Sequence, residues 1–145
     1  MAKLFNLKIL TPQRQFFDGD VESIIVTTTD GKFQILADHV PMIMPLAVGT
    51  LVIKTLDGNR EVFNSEGFLE VKHEGVLIYV QACERPGEID RHRAEEALNR
   101  AEERLRQQQS MQEYRQSKMA LARAMARLRL TRQDGIAESE TRPPL

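Results

Sequence analysis

Between Lys3 and Glu84 apolar and polar residues alternate with a period of two, whereas beyond Pro86 apolar residues recur every three or four positions. The first pattern is that of strands buried on one face. The segments KLFNLKIL, VESIIVTT, KFQIL, TLVIKTL, EVFNS, GFLEV and GVLIYVQA are short and rich in Val, Ile, Leu, Phe and Thr, and each predicts a strand. Asp18-Gly19, Asp30-Gly31 and Asp57-Gly58 predict tight hairpin turns, and Glu74-Gly75 predicts a fourth corner, because glycine accepts the positive φ such turns need. Closely spaced strands joined by tight turns imply an antiparallel sandwich or barrel, since parallel neighbours need long crossovers.

The second pattern predicts a helical hairpin. Pro86 and Gly87 break the last strand, Asp90 is placed to cap a helix, and Ala94, Ala97, Leu98, Ala101 and Leu105 follow at helical spacing. Ser110 and Glu113 have the separation of a capping box and open a second helix whose stripe runs through Tyr114, Leu121, Ala124, Met125 and Leu128. A connection of about five residues forces the two helices antiparallel. The expected organisation is α+β: an N-terminal antiparallel β-sandwich over 1–85, a C-terminal antiparallel two-helix hairpin over 86–131, and a tail over 132–145 that lacks both period and bulk and is expected to be disordered. The few large apolar side chains of the hairpin do not offset the entropy of ordering it. It needs the sandwich, a partner or a ligand to hold one conformation.

Length and charge narrow the function. At 145 residues there is room for one ordinary domain and an appendage. The net charge is near zero, but it divides into about −4 through Glu84 and about +3 after it, so a phosphate-bearing partner would meet the C-terminal half. No apolar run approaches the roughly 20 residues of a membrane span, and the first ten residues alternate instead of forming a signal-peptide core. A cytoplasmic-side chain with no direct membrane insertion is expected. The single cysteine, Cys83, excludes an internal disulfide and has the setting of a buried residue at a strand end.

No nucleophile stands beside a base, no glycine-rich phosphate loop is present, and no His, Cys and carboxylate cluster has metal-ligand spacing, so neither an independent enzyme nor a metal site is expected. Nucleic-acid binding is disfavoured by glutamates that balance the arginines and by the lack of an aromatic platform. What remains is a set of arginines. Arg93 and Arg100 lie two turns apart on nearly one face, Arg123 and Arg127 one turn apart, and antiparallel pairing can bring the two sets together. Forked guanidinium groups suit phosphate, and the first turn of a helix adds free N–H groups. The interleaved Glu95, Glu96, Glu102 and Glu103 equally describe a solvated helix of mixed charge. His73 and His92 read as surface residues, and His39 as a polar loop contact.

The order of parts, together with SEGFLEV at Ser65 to Val71, EIDRHRA opening the hairpin and ALARAMARL near its end, resembles the epsilon subunit of bacterial F-type ATP synthase over about Lys3 to Leu130. The resemblance implies a non-catalytic rotor subunit of the central stalk, peripheral on the cytoplasmic face of the cell membrane. Its sandwich would bind the gamma subunit and the membrane ring, and its mobile hairpin would inhibit ATP hydrolysis by reaching the alpha and beta subunits of the catalytic head. No cofactor is required; ATP is implied as a regulatory ligand of the folded-down hairpin. By the same resemblance Glu84, Ile89 and Asp90 surround the adenine, with Ala94 completing the motif, and Arg93, Arg100, Arg115, Arg123 and Arg127 hold the phosphates. His39 matches the family's histidine in the loop facing the ring, with Lys32 nearby. This chain departs from the family in carrying Lys32, Gln34, Ala37 and Asp38 where an acidic residue and a glycine are common, and Pro86 and Gly87 where alanine and an acid are commoner. A purely structural stalk subunit with no nucleotide site is the alternative.

Overall fold

The computed structural model describes residues 3–107 and 110–139. The chain divides after Glu84 into two compact units. The first holds ten strands: β1 (Phe5–Leu10), β2 (Gln15–Val21), β3 (Ser23–Thr28), β4 (Gly31–Leu36), β5 (Met42–Leu46), β6 (Gly49–Thr55), β7 (Gly58–Asn64), β8 (Gly67–Lys72), β9 (Gly75–Val80) and β10 (Cys83–Glu84). They form two five-stranded sheets, ordered β2-β1-β9-β8-β5 and β10-β7-β6-β3-β4. Leu7, Ile9, Ile24, Val26, Ile35, Leu51, Ile53, Leu69, Ile78 and Val80 alternate inward from both sheets and are buried in one shared core. Cys83 is buried at the edge of that core, as its sequence setting implies.

Every paired strand is antiparallel except β1 with β9, which run parallel from Leu7 opposite Val76 to Leu10 opposite Tyr79. The crossover between them is nearly the whole sandwich, so the pairing of first and ninth strands is invisible to any reading of neighbours. Gly31, Gly58 and Gly75 take positive φ at their hairpin turns. Asp18-Gly19 does not turn: both residues lie inside β2. A register shift after Ile9 lets the strand pass Phe16, and Gly19 then faces Leu7 from the inward side, where a Cβ would meet the Phe17 ring at 3.4 Å. Asp18 and Asp20 point outward, with Asp18 opposite Lys8 and accepting from Asn6 Nδ2 at 3.1 Å. β5 carries Pro45, which an edge strand tolerates because the missing N–H has no ladder partner to serve.

The chain passes from one sheet to the other through Asn64, Ser65 and Glu66. Asn64 is fully buried; its Nδ2 donates to the carbonyls of Ala47 and Ser65 at 3.0 and 2.9 Å. Ser65 accepts from the Ala82 N–H through Oγ at 2.7 Å while its own N–H donates to the Ala82 carbonyl at 2.9 Å. Gly67 follows where the neighbouring strand leaves no room for a side chain: a Cβ there would collide with the Tyr79 carbonyl oxygen and stand 2.7 Å from Val80 Cα.

The second unit holds a 3₁₀ turn at Pro86–Glu88, then α1 (Arg91–Arg106) and α2 (Met111–Ser139). The end of α2 differs from the sequence expectation, because the helix continues eight residues past 131. Arg132, Gln133, Ala137 and Glu138 are good helix formers, and extending an existing helix avoids the nucleation penalty that a separate segment would meet. Positions 140–145 of the expected tail lie outside the described residues.

Replacing Gly67 by Ala forces two strands apart at the crossing and should destabilise the protein by about 2–4 kcal/mol. Urea unfolding of the full chain, followed by far-UV circular dichroism, checks this against Gly87→Ala. A Cβ at Gly87 meets nothing within 4 Å, and that variant should unfold like wild type.

Candidate functional site

The hairpin begins with two local devices. Glu88 Oε1 accepts from both the backbone N–H and Nη1 of Arg85, each at 3.1 Å, and the Ile89 N–H donates to the Pro86 carbonyl at 3.2 Å, closing the 3₁₀ turn. Asp90 then caps α1: its Oδ1 accepts from the Arg93 N–H at 3.1 Å, and its carbonyl accepts from Ala94 at 3.0 Å. The start of α2 is a reciprocal capping box, with Glu113 N–H donating to Ser110 Oγ at 3.2 Å and Ser110 N–H to Glu113 Oε2 at 3.3 Å.

The seam between the helices is made of small residues. Ala94 and Ala101 on α1 and Ser117 and Ala124 on α2 are buried, each pair seven residues apart, while Leu98, Leu105, Leu121 and Leu128 beside them are half-buried. Small side chains let the helix axes approach closely. At about 100° per residue, Arg93 and Arg100 fall on one flank of the α1 stripe, each immediately preceding a buried alanine. Arg123 immediately precedes Ala124 and Arg127 follows it by three. In an antiparallel pair, equivalent flanks lie on the same side. Arg93, Arg100, Arg123 and Arg127 therefore share one flank of the hairpin.

Arg115 does not join them. It lies two residues before Ser117, which turns it to the face opposite the seam, and it is exposed where Arg123 and Arg127 are half-buried. Helix phase, which motif matching ignores, is the reason. Among the described residues Arg93 and Arg100 form no ion pair, whereas Arg91 pairs with Glu95 at 3.3 Å, His92 with Glu96 at 2.9 Å and Arg106 with Glu103 at 3.4 Å. Glu84 ends β10 in the other unit and is half-buried, as is Ile89 at the end of the 3₁₀ turn. Among the described residues no three His, Cys, Asp or Glu side chains gather to hold a metal ion, and no helix is long and apolar enough to cross a membrane.

In the sandwich, His39 and Lys32 are not brought together. Lys32 Nζ donates to Thr27 Oγ1 at 2.8 Å on the outer face of its sheet. His39 packs edge-on against Phe33, ring centroids 5.9 Å apart, and Phe33 points inward against the core. Adjacent residues on a strand face opposite ways, which separates the two candidates. His39 instead borders a recess of about 610 Å³ at one end of the sandwich, lined also by Lys3, Phe5, Asp38, His73 and Val76. Lys3 was not singled out by sequence, and Asp38 only as a departure from the family pattern; the one local signal was an Asp in a loop, a residue that tolerates positive φ.

A ten-stranded sandwich followed by a capped helical hairpin with an arginine flank defines a two-part class of protein. Residues 4–86 match the beta-sandwich domain of the ATP synthase Delta/Epsilon chain, and residues 88–132 match its long alpha-helix domain. The chain belongs to the ATP synthase delta/epsilon family. It is 52% identical over 131 residues to the ATP synthase epsilon chain of Caldanaerobacter subterraneus subsp. tengcongensis, covering 90% of this chain and 95% of that one. It is 44% identical over 127 residues to the ATP synthase epsilon chain of Ruminiclostridium cellulolyticum, covering 88% and 95%. The fold is shared with a chain in the Euglena gracilis mitochondrial ATP synthase (OSCP, F1 and c-ring), with a TM-score of 0.74 at 21% identity over 94% of this chain and 83% of that one. A chain of the Tetrahymena thermophila mitochondrial ATP synthase central stalk and c-ring gives a TM-score of 0.61 at 16% identity, covering 90% and 98%.

Two substitutions test the hairpin's construction. Asp90→Ala removes a cap and should cost about 1 kcal/mol. Ala101→Leu overfills the seam and should cost about 1–3 kcal/mol. Both should lower helical circular dichroism on mild heating, while near-UV signals from sandwich aromatics persist to higher temperature.

Proposed function

We propose that this chain is a non-catalytic rotor subunit of the central stalk of an F-type ATP synthase, peripheral on the cytoplasmic face of the cell membrane. Its sandwich joins the gamma subunit to the membrane ring, and its hairpin restrains ATP hydrolysis by reaching the alpha and beta subunits of the catalytic head. Its similarity to ATP synthase epsilon chains supports the first part. The chain itself then turns over no ATP. A chain ending at Gly87 should still assemble with the gamma-containing complex but no longer restrain hydrolysis; unchanged inhibition by that truncated form would move regulation into the sandwich.

The hairpin binds ATP when folded down, with Glu84, Ile89 and Asp90 toward the adenine and Arg93, Arg100, Arg123 and Arg127 toward the phosphates. The shared flank of these four arginines is the observation that carries this reading. Four like charges beside a close seam repel one another, and the repulsion is only partly screened at a Debye length of about 8 Å. A triphosphate brings negative charge to that flank. At about 100 times its dissociation constant it would favour the binding-competent state by roughly 2.7 kcal/mol. A purely structural stalk subunit is the second reading, favoured by the local pairing of Arg91 with Glu95, which balances part of α1 without any ligand.

Calorimetric titration with Mg-free and Mg-bound ATP separates the two. Replacing Arg123 and Arg127 together by Ala should abolish measurable binding or weaken it at least tenfold, a loss of about 1.4 kcal/mol or more. Glu95→Gln with Glu96→Gln should change affinity by less than about twofold, since those carboxylates engage Arg91 and His92. Equal binding by wild type and the double-arginine variant, or no binding by wild type at millimolar ATP, leaves the structural stalk reading.

A further inference from the structure

Among the described residues, Asp38 is the one residue other than glycine held at positive φ, at 63°. Left-handed backbone disfavours any side chain with a Cβ, although Asp tolerates it better than most. The conformation matters because Asp38 directly precedes His39. Its dihedral angles decide whether the chain between β4 and β5 lays the His39 ring against Phe33 or swings it into solvent. In the structure the ring lies edge-on to Phe33, and His39 Nδ1 is 2.8 Å from the Val40 carbonyl oxygen, to which it donates as the Nδ1–H tautomer. Val40, which lines the recess together with exposed Leu36, is 69% exposed.

One contact from a distant part of the chain reaches this residue. Lys3 Nζ donates to Asp38 Oδ2 at 2.7 Å, across 35 positions of sequence. Both side chains are about 70% exposed, so the pair shifts an equilibrium only about threefold to fivefold. An effect of that size is enough to change how well a short surface loop is ordered.

We propose that Lys3 is a positioning residue: its ammonium group straps Asp38 and holds the loop of residues 37–41 in the left-handed bend that presents His39 and Val40 to a partner. The identity of that partner as the membrane ring rests on the function proposed above; the strap itself does not.

NMR relaxation on the full-length chain tests the strap. In low salt the His39 and Val40 amides should show order parameters near ~0.85, with a clear cross-relaxation signal between the His39 and Phe33 rings. Lys3→Ala should lower the order parameters toward ~0.6 and weaken the ring signal about threefold, and Lys3→Arg should restore both. Asp38→Asn keeps a residue that tolerates positive φ but removes the charge, and should behave as Lys3→Ala does. Salt near ~1 M should loosen the wild-type loop and leave the Lys3→Ala loop unchanged, which a steric role would not predict. Wild-type order parameters in both Lys3→Ala and Asp38→Asn would overturn the proposal. The ring is tested separately, by rebinding to a complex stripped of this subunit. Weakening of about threefold in Lys3→Ala, restored in Lys3→Arg, supports presentation to that complex; a loosened loop with unchanged rebinding keeps the strap and removes the ring contact.

Discussion

How closely two helices can approach is decided by the side chains between them, and in this protein that constraint governs the helical hairpin. Ala94, Ala101, Ser117 and Ala124 put almost no bulk in the seam. Axes separated by alanine stand near the lower end of the usual ~8–10 Å range. Closeness has an electrostatic consequence, because each buried alanine of the pair 94 and 101 is preceded by an arginine, and Ala124 is preceded by one as well. Larger core residues would hold these guanidinium groups farther apart and weaken their mutual repulsion. The seam and the charge problem are therefore one feature of the sequence.

The same seam makes the hairpin weak where the sandwich is strong. The sandwich buries Leu, Ile and Val side chains from both sheets, many with no exposed surface at all. Each such side chain contributes about 1.5–3 kcal/mol of transfer free energy. The hairpin buries mostly alanines, which contribute little, and apart from buried Leu130 leaves its leucines half-exposed. Its order leans on caps instead, with Asp90 closing one helix start and the Ser110–Glu113 box the other. Caps fix where helices begin without fixing how tightly two of them hold together. A unit assembled in this way can change partners without disturbing a core.

Legibility in sequence followed the range of the interaction. Gly31, Gly58 and Gly75 announced their turns because the requirement for positive φ is local. Asp18-Gly19 carried the same signal and misled, since both residues lie inside β2, where Gly19 does not take the positive φ of a turn. β5 was missed because Pro45 looks like a breaker until the strand is known to lie at an edge. The parallel pairing of β1 with β9 joins opposite ends of the sandwich and leaves no local trace. In the hairpin, Asp90 and the Ser110–Glu113 box were readable for the local reason. Arg115 was grouped with the other arginines by motif, and only helix phase against the buried stripe separates it from them.

That distinction bears on how much weight the motif at the hairpin's start can carry. An Asp three residues before an Arg is the spacing of an N-cap to the third helical residue, and Asp90 Oδ1 does accept from the Arg93 N–H. Ala94 is buried in the seam, where almost any larger side chain would part the helices. Ile89 closes the 3₁₀ turn by donating its N–H to Pro86. Asp90 and Ala94 thus have a reason to exist in a hairpin that binds nothing, whereas the bond made by the Ile89 N–H is open to any residue but proline and does not explain its side chain. The Arg93 and Arg100 side chains, two turns apart, form no ion pair among the described residues. Folding accounts for the cap and the seam of the motif, and it is on Arg93 and Arg100 that the proposed nucleotide site and a merely solvated face make different claims.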